Sequence, residues 1–156
     1  MMRAVDYARR LFKYIPMDNP PVKLVPILEK FNVSLYFDDF EEIDGITMKS
    51  PKLSIIVVNR NLSIPRQRFT IAHELGHIVM PHRSDFYVCS SKRCKNKLME
   101  RDANRFAAEI LMPRPMVAEL WEKYESNKEN RIEAIAKIMK VSASALRIRI
   151  RELGLK

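Results

Sequence analysis

The sequence predicts an α+β domain, and three observations carry that prediction. Short early helices are punctuated by prolines; a compact stretch of β-branched and alternating residues follows; from Ser63 onward the apolar period is helical to the end. The 156 residues are 47% hydrophobic and 30% charged, a composition that supports a packed core and excludes disorder. Three glycines and nine prolines exclude collagen-like and linker-like chains.

Taken in order, residues 4–15 read as a helix stopped by Pro16 and the Pro20-Pro21 pair. Residues 22–31 form a second helix with Val25, Leu28 and Phe31 on one side. Strands are expected at 33–37, 45–49 and 53–58, the last a β-branched run suited to a sheet covered on both faces. Ser50-Pro51 turns the last two strands into a hairpin. Ser63 caps the next helix, and Pro65 stands where a missing N–H costs little. Its apolar stripe is Phe69, Ala72, Leu75, Ile78 and Val79, and Pro81 ends it. After a polar loop, residues 98–112 form a helix ended by Pro113 and Pro115. The polar stretch 122–130 marks a boundary, giving a main unit at 1–121 and a tail at 126–156. The tail holds helices at 131–140 and 144–153, with Gly154 as the stop.

The charge of +9 makes an acidic partner conceivable, although solubility alone accounts for such an excess. Two cysteines, Cys89 and Cys94, cannot build a disulfide framework, which fits a reducing compartment. The charged first ten residues lack the apolar core of a signal peptide, and no run approaches a membrane span. A cytoplasmic protein with no membrane partner is expected.

The informative residues are His73-Glu74-Leu75-Gly76-His77. On a helix, positions i and i+4 share a face, so both imidazoles can bind one ion. Glu74 falls one position around, close enough to take a proton from a water at that ion without competing for coordination. The competing reading is a solvated helix that happens to carry two histidines; such a pattern arises by chance in roughly 0.4% of comparable chains. A third ligand must come from another element, and the 98–112 helix offers Glu100, with Asn104 one turn on to hydrogen-bond a ligating imidazole. Asp102 and Glu109 point elsewhere on that helix. Ala103, Ala107 and Ala108 let it pack close to the histidine helix.

Residues 66–77, RQRFTIAHELGH, and 100–113, ERDANRFAAEILMP, resemble the two signatures of the ImmA/IrrE metallopeptidases. The closing Ile135-Ala136-Lys137, Val141-Ser142 and Arg151-Glu152-Leu153-Gly154-Leu155 are similar to that family's helical tail. The resemblance implies a small thermolysin-like core, made of a short sheet, the histidine helix and the glutamate helix; the two short closing helices with their Val141-Ser142-Ala143 turn fit a helix-turn-helix-like pair. It implies His73, His77 and Glu100 as ligands of zinc, with manganese as the alternative, and Glu74 as the catalytic base. It also implies a substrate class: helix-turn-helix transcriptional repressors, cut to derepress phage, mobile-element or stress genes. Radiation-response members carry an additional sensor domain, and the expectation here is a trigger that differs or lies in a partner.

Several signals stay open. The strand 53–58 could hold an extended peptide if one edge is exposed. His82, Tyr87 and Arg101 are all within sequence reach of the site as oxyanion stabilisers, and spacing selects none of them. His82 otherwise reads as a helix-end residue, and Cys89 with Cys94 as free thiols or a disulfide gating the cleft. From 131 to 156 the chain holds seven basic residues against two acidic. Arg147, Arg149 and Arg151 are therefore assigned to docking a partner protein. Direct DNA binding by a metal-containing regulator without hydrolytic activity is the weaker alternative.

Overall fold

The computed structural model describes residues 1–83, 85–89 and 96–156. Cys94, and with it the disulfide considered above, lies outside the described residues. The first helical stretch is shorter than its pattern suggests: α1 spans Ala4–Arg10, and a separate 3-10 turn covers Phe12–Tyr14. Pro16 has no N–H to donate, and its ring would clash with the carbonyl four residues back, so the tighter turn ends the element. Helix α2 is Val25–Lys30.

Among the described residues, four strands form one sheet in the order β1-β3-β2-β4. They are β1 (Val33–Asp38), β2 (Gly45–Met48), β3 (Ser54–Asn59) and β4 (Phe86–Cys89). β1 runs parallel to β3, with Val33 opposite Ser54, while β2 and β3 form the expected antiparallel pair. β3 is therefore interior, with both edges paired. It cannot receive a peptide at its edge, as its sequence had suggested it might.

Helix α3 (Ile64–Val79) begins as its sequence dictates: the Ser63 side chain accepts from the backbone N–H of Arg66, and Pro65 sits in the first turn. All residues from Thr70 to His77 are buried, because the sheet covers one side and α4 (Lys97–Leu111) covers another. Gly76 permits that approach. A Cβ there would stand 3.0 Å from Cδ1 of Phe106, a fully buried ring on α4.

The remaining helices are α5 (Arg114–Lys123), α6 (Arg131–Met139) and α7 (Ala143–Leu153). Ser142 caps α7, and Gly154 closes it at φ 67°. The apolar faces of α6 and α7 (Ile135, Met139, Leu146, Ile150) join the same core as Leu75, Phe106 and Ile110. Arg149, assigned above to a docking surface, is instead 5% exposed. It donates to Glu109 Oε2 at 2.6 Å and to the Met112 carbonyl at 2.9 Å. Arg147 is exposed and pairs with Glu133. Among the described residues no helix is long and apolar enough to cross a membrane.

Candidate metal centre

The one-turn spacing of His73 and His77 on α3 brings their Nε2 atoms to 3.2 Å. Glu100, in the first turn of α4, reaches both: its Oε2 lies 3.0 Å from His73 Nε2 and its Oε1 3.2 Å from His77 Nε2. The imidazoles are buried at 3% and 1% side-chain exposure, whereas Glu100 keeps 22%. The pocket is thus sealed by protein on the histidine side.

If both Nε2 atoms are unprotonated they cannot satisfy each other, and a divalent cation would satisfy both together with the carboxylate. The imidazoles meet different oxygens of Glu100, and these contacts of 3.0 to 3.2 Å are close to the separation of about 3.3 Å between ligand atoms of a tetrahedral ion with bonds of about 2.0–2.1 Å. The three residues form a donor set that could hold a metal. Nitrogen and oxygen donors in this ratio fit zinc well and manganese acceptably.

Asn104 is where the helical spacing puts it, one turn beyond Glu100, and its Oδ1 lies 2.8 Å from His73 Nδ1. Of the other α4 carboxylates, Glu109 turns into the ion pair with Arg149, and Asp102 belongs to no donor set among the described residues.

Glu74 is fully buried. The hydroxyl of Thr47, on β2, donates to its Oε2 at 2.5 Å, while Oε1 has no hydrogen-bond partner among the described residues. Burial raises the pKa of Glu74 against the opposing pull of His73, the Thr47 hydrogen bond and His77. Burial also disfavours ionised Glu100, but hydrogen bonds from His73 and His77 outweigh it and hold that carboxyl well below the usual range. At His73 burial opposes the charged form, yet Glu100, Glu74 and Asn104 together raise its pKa.

Three neighbours carried little or no signal. Thr47 looked like any strand threonine; only its register opposite Tyr87 on β4 and its position over α3 reveal its role. Tyr87 stacks on the His77 ring, with centroids 4.2 Å apart and planes 15° apart. Cys89 ends β4 with its thiol near His73 and Glu74, and burial pushes its pKa up. Of the other oxyanion candidates, His82 lies 2.8 Å from His77 Nδ1, and Arg101 is exposed on α4.

A small α+β core that carries two histidines and a glutamate across adjacent helices defines a metallopeptidase-type domain. The chain belongs to the ImmA/IrrE family, matching the IrrE N-terminal-like domain over residues 28–151. It is 34% identical over 99 residues to the radiation response metalloprotease IrrE of Deinococcus radiodurans, a match covering 61% of this chain and 30% of that protein. To the metallopeptidase ImmA of Bacillus subtilis it is 31% identical over 84 residues, 53% of this chain and 49% of the relative. The chain thus spans less than half the length of these curated relatives.

Proposed function

We propose that the protein is a zinc-dependent endopeptidase that cleaves a helix-turn-helix transcriptional repressor in the cytoplasm. The observation that carries this reading is the half-anchored Glu74 carboxylate beside the His73, His77 and Glu100 donor set. These three residues would hold the ion, which when bound supplies Lewis acidity, acidifying water and polarising a scissile carbonyl. Glu74 Oε1 accepts the proton of the attacking water and passes it to the leaving amine as the C–N bond breaks. Asn104 fixes the tautomer of His73. β4, at the end of the sheet next to Glu74, is the strand to which an extended peptide would add.

Residues 1–121 would form the catalytic unit, and the helix-turn-helix-like pair at 126–156 would supply the second contact that single-protein selectivity needs. Exposed Arg147 and Arg151 are the basic residues of α7 available for it. The burial of Arg149 takes that cation out of either use, partner docking or phosphate contact.

The test pairs the full chain, loaded with zinc, with the helix-turn-helix repressors of the same genome, any encoded beside its gene first, and follows fragments by mass spectrometry. One cut is expected. Glu74→Gln should retain zinc and lose at least about 100-fold in rate. Arg147→Glu with Arg151→Glu should slow cleavage in a salt-sensitive way at constant metal content. Equal cutting by Glu74→Gln, or no cutting by the wild type, overturns the reading.

A further inference from the structure

His82 is the remaining histidine, five residues past His77, and no role above uses it. On a continuous helix it would be rotated off the ligand face. The sequence prevents that continuation. Met80 precedes Pro81 and is pushed out of the helical region, to φ −79° and ψ 156°. The chain then folds back on itself, with the His82 N–H donating to the Met80 carbonyl at 2.7 Å. Lys49 Nζ, just past the end of β2, donates to the Met80 and His77 carbonyls, both at 3.4 Å, and ties this corner to the sheet. The outcome is a half-buried imidazole whose Nδ1 lies 2.8 Å from Nδ1 of His77.

Two ring nitrogens at that distance share one proton, so one must donate and the other accept. If His82 donated, the mobile proton of His77 would sit on Nε2, the atom that faces Glu100 and His73, and block coordination. If His77 donates, Nε2 is free. We propose that His82 is a positioning residue whose Nδ1 accepts the His77 Nδ1–H, so that Nε2 is the unprotonated, metal-facing nitrogen. This inference rests on the metal-site reading above.

His82 then does for His77 what Asn104 does for His73, by a different chemical group. Ligating histidines usually give their second N–H to a carboxylate, a backbone carbonyl or water; a neutral imidazole serves the same end without adding charge to the site. Tyr87, stacked on the face of His77, restrains ring rotation, and His82 restrains the ring in its own plane. The two contacts are complementary.

The experiment uses the zinc-loaded full chain labelled with 15N at histidine. Long-range 15N–1H correlations should show His77 protonated at Nδ1 and His82 at Nε2. Zinc affinity is measured in parallel by chelator competition. His82→Leu, which removes the acceptor, should weaken binding about 10–100-fold. In His82→Asn, Oδ1 takes the place of Nδ1, and affinity should return to within about threefold of wild type. An unprotonated His77 Nδ1, unchanged affinity in His82→Leu, or equal loss in both variants overturns the proposal. His73→Ala separates the two levels: zinc retained at full stoichiometry there would overturn the metal-site reading and this inference with it. Depletion in His73→Ala with no effect of His82→Leu overturns this inference alone.

Discussion

Thr47 and Glu74 are joined by a 2.5 Å hydrogen bond that fixes one carboxylate oxygen, while the other has no partner among the described residues. The bond spans from β2 to α3, so the sheet sets the orientation of the proposed base. Gly45, two residues before Thr47 on β2, is packed just as closely: a Cβ there would stand 2.7 Å from Thr70 Cγ2 and 3.8 Å from Glu74 Cγ. The strand backbone therefore lies directly over the helix at the site.

Replacing Thr47 with Val keeps the shape and removes the donor. A hydrogen bond to a charged group contributes about 1.5–3 kcal/mol, so Thr47→Val should lower the cleavage rate about 10–100-fold while metal content stays at wild-type level. Elemental analysis alongside the rate measurement checks both halves. Wild-type turnover in Thr47→Val would show that the carboxylate is oriented by something else.

The donor set predicts a sharp dependence on each ligand. His73→Ala, His77→Ala and Glu100→Ala should each purify with well under one divalent ion per chain, whereas wild type should carry about one. Chelation of the wild type should lower its melting temperature, because an ion that binds only the folded state stabilises it by mass action, and added zinc should restore it. Full occupancy in all three variants would remove the site.

Much of this centre was legible because helical spacing is a short-range rule. His73, His77, Glu100 and Asn104 lie on two helices whose faces follow from counting residues, and Ser63 and Gly154 mark helix ends by local chemistry. What escaped depends on long-range pairing. β4 is four residues long, set among polar neighbours, and becomes a strand only because β2 offers it an edge. Thr47 and Tyr87 meet the site through that register. Helix α5 is hidden for a local reason: Pro113 and Pro115 look like terminators of α4, although Pro115 in a first turn is a favourable start. His82 was legible as a helix breaker's neighbour, but the direction of the turn after Pro81 was not.

Gly76 tests how tightly α4 must approach α3. A helix interior favours Ala over Gly by about 1 kcal/mol, so propensity alone predicts that Gly76→Ala stabilises. Its Cβ would stand 3.0 and 3.2 Å from two ring carbons of Phe106 and 3.3 Å from Met80 Cε. The methionine end can swing away; the fully buried ring cannot. Overpacking of this kind costs about 1–3 kcal/mol. We expect a net fall in melting temperature of a few degrees and weaker metal binding, since a displaced α4 carries Glu100 away from the histidines. A higher melting temperature would show that Phe106 yields.

The last prediction concerns the ion pair that ties the tail to the core. Glu109 is 2% exposed and receives Arg149 Nη2 at 2.6 Å and Arg9 Nε at 3.0 Å, so α4, α7 and α1 meet at one carboxylate. The two arginines are not equivalent. Arg9 is 53% exposed at its side chain, where solvent screening leaves an ion pair worth about 0–1 kcal/mol. Arg149 is buried and also donates from Nε to the Met112 carbonyl at 2.9 Å. Arg149→Ala leaves the buried carboxylate to the solvent-screened Arg9 alone and takes the donor from the Met112 carbonyl, which should cost about 3 kcal/mol, a large part of the ~5–15 kcal/mol of a typical domain. Arg149→Lys should recover little, because one ammonium cannot serve both acceptors in the planar geometry of a guanidinium. Removing both charges is the decisive control: Arg149→Met with Glu109→Met should be far more stable than Arg149→Ala, since no uncompensated charge remains. Urea unfolding of the wild type and the three variants measures the differences, and a double variant no better than Arg149→Ala would show that packing, not charge, holds α7. The same asymmetry governs any test of partner docking. Charge reversal at Arg149 would report unfolding, so only Arg147 and Arg151 can separate recognition from stability.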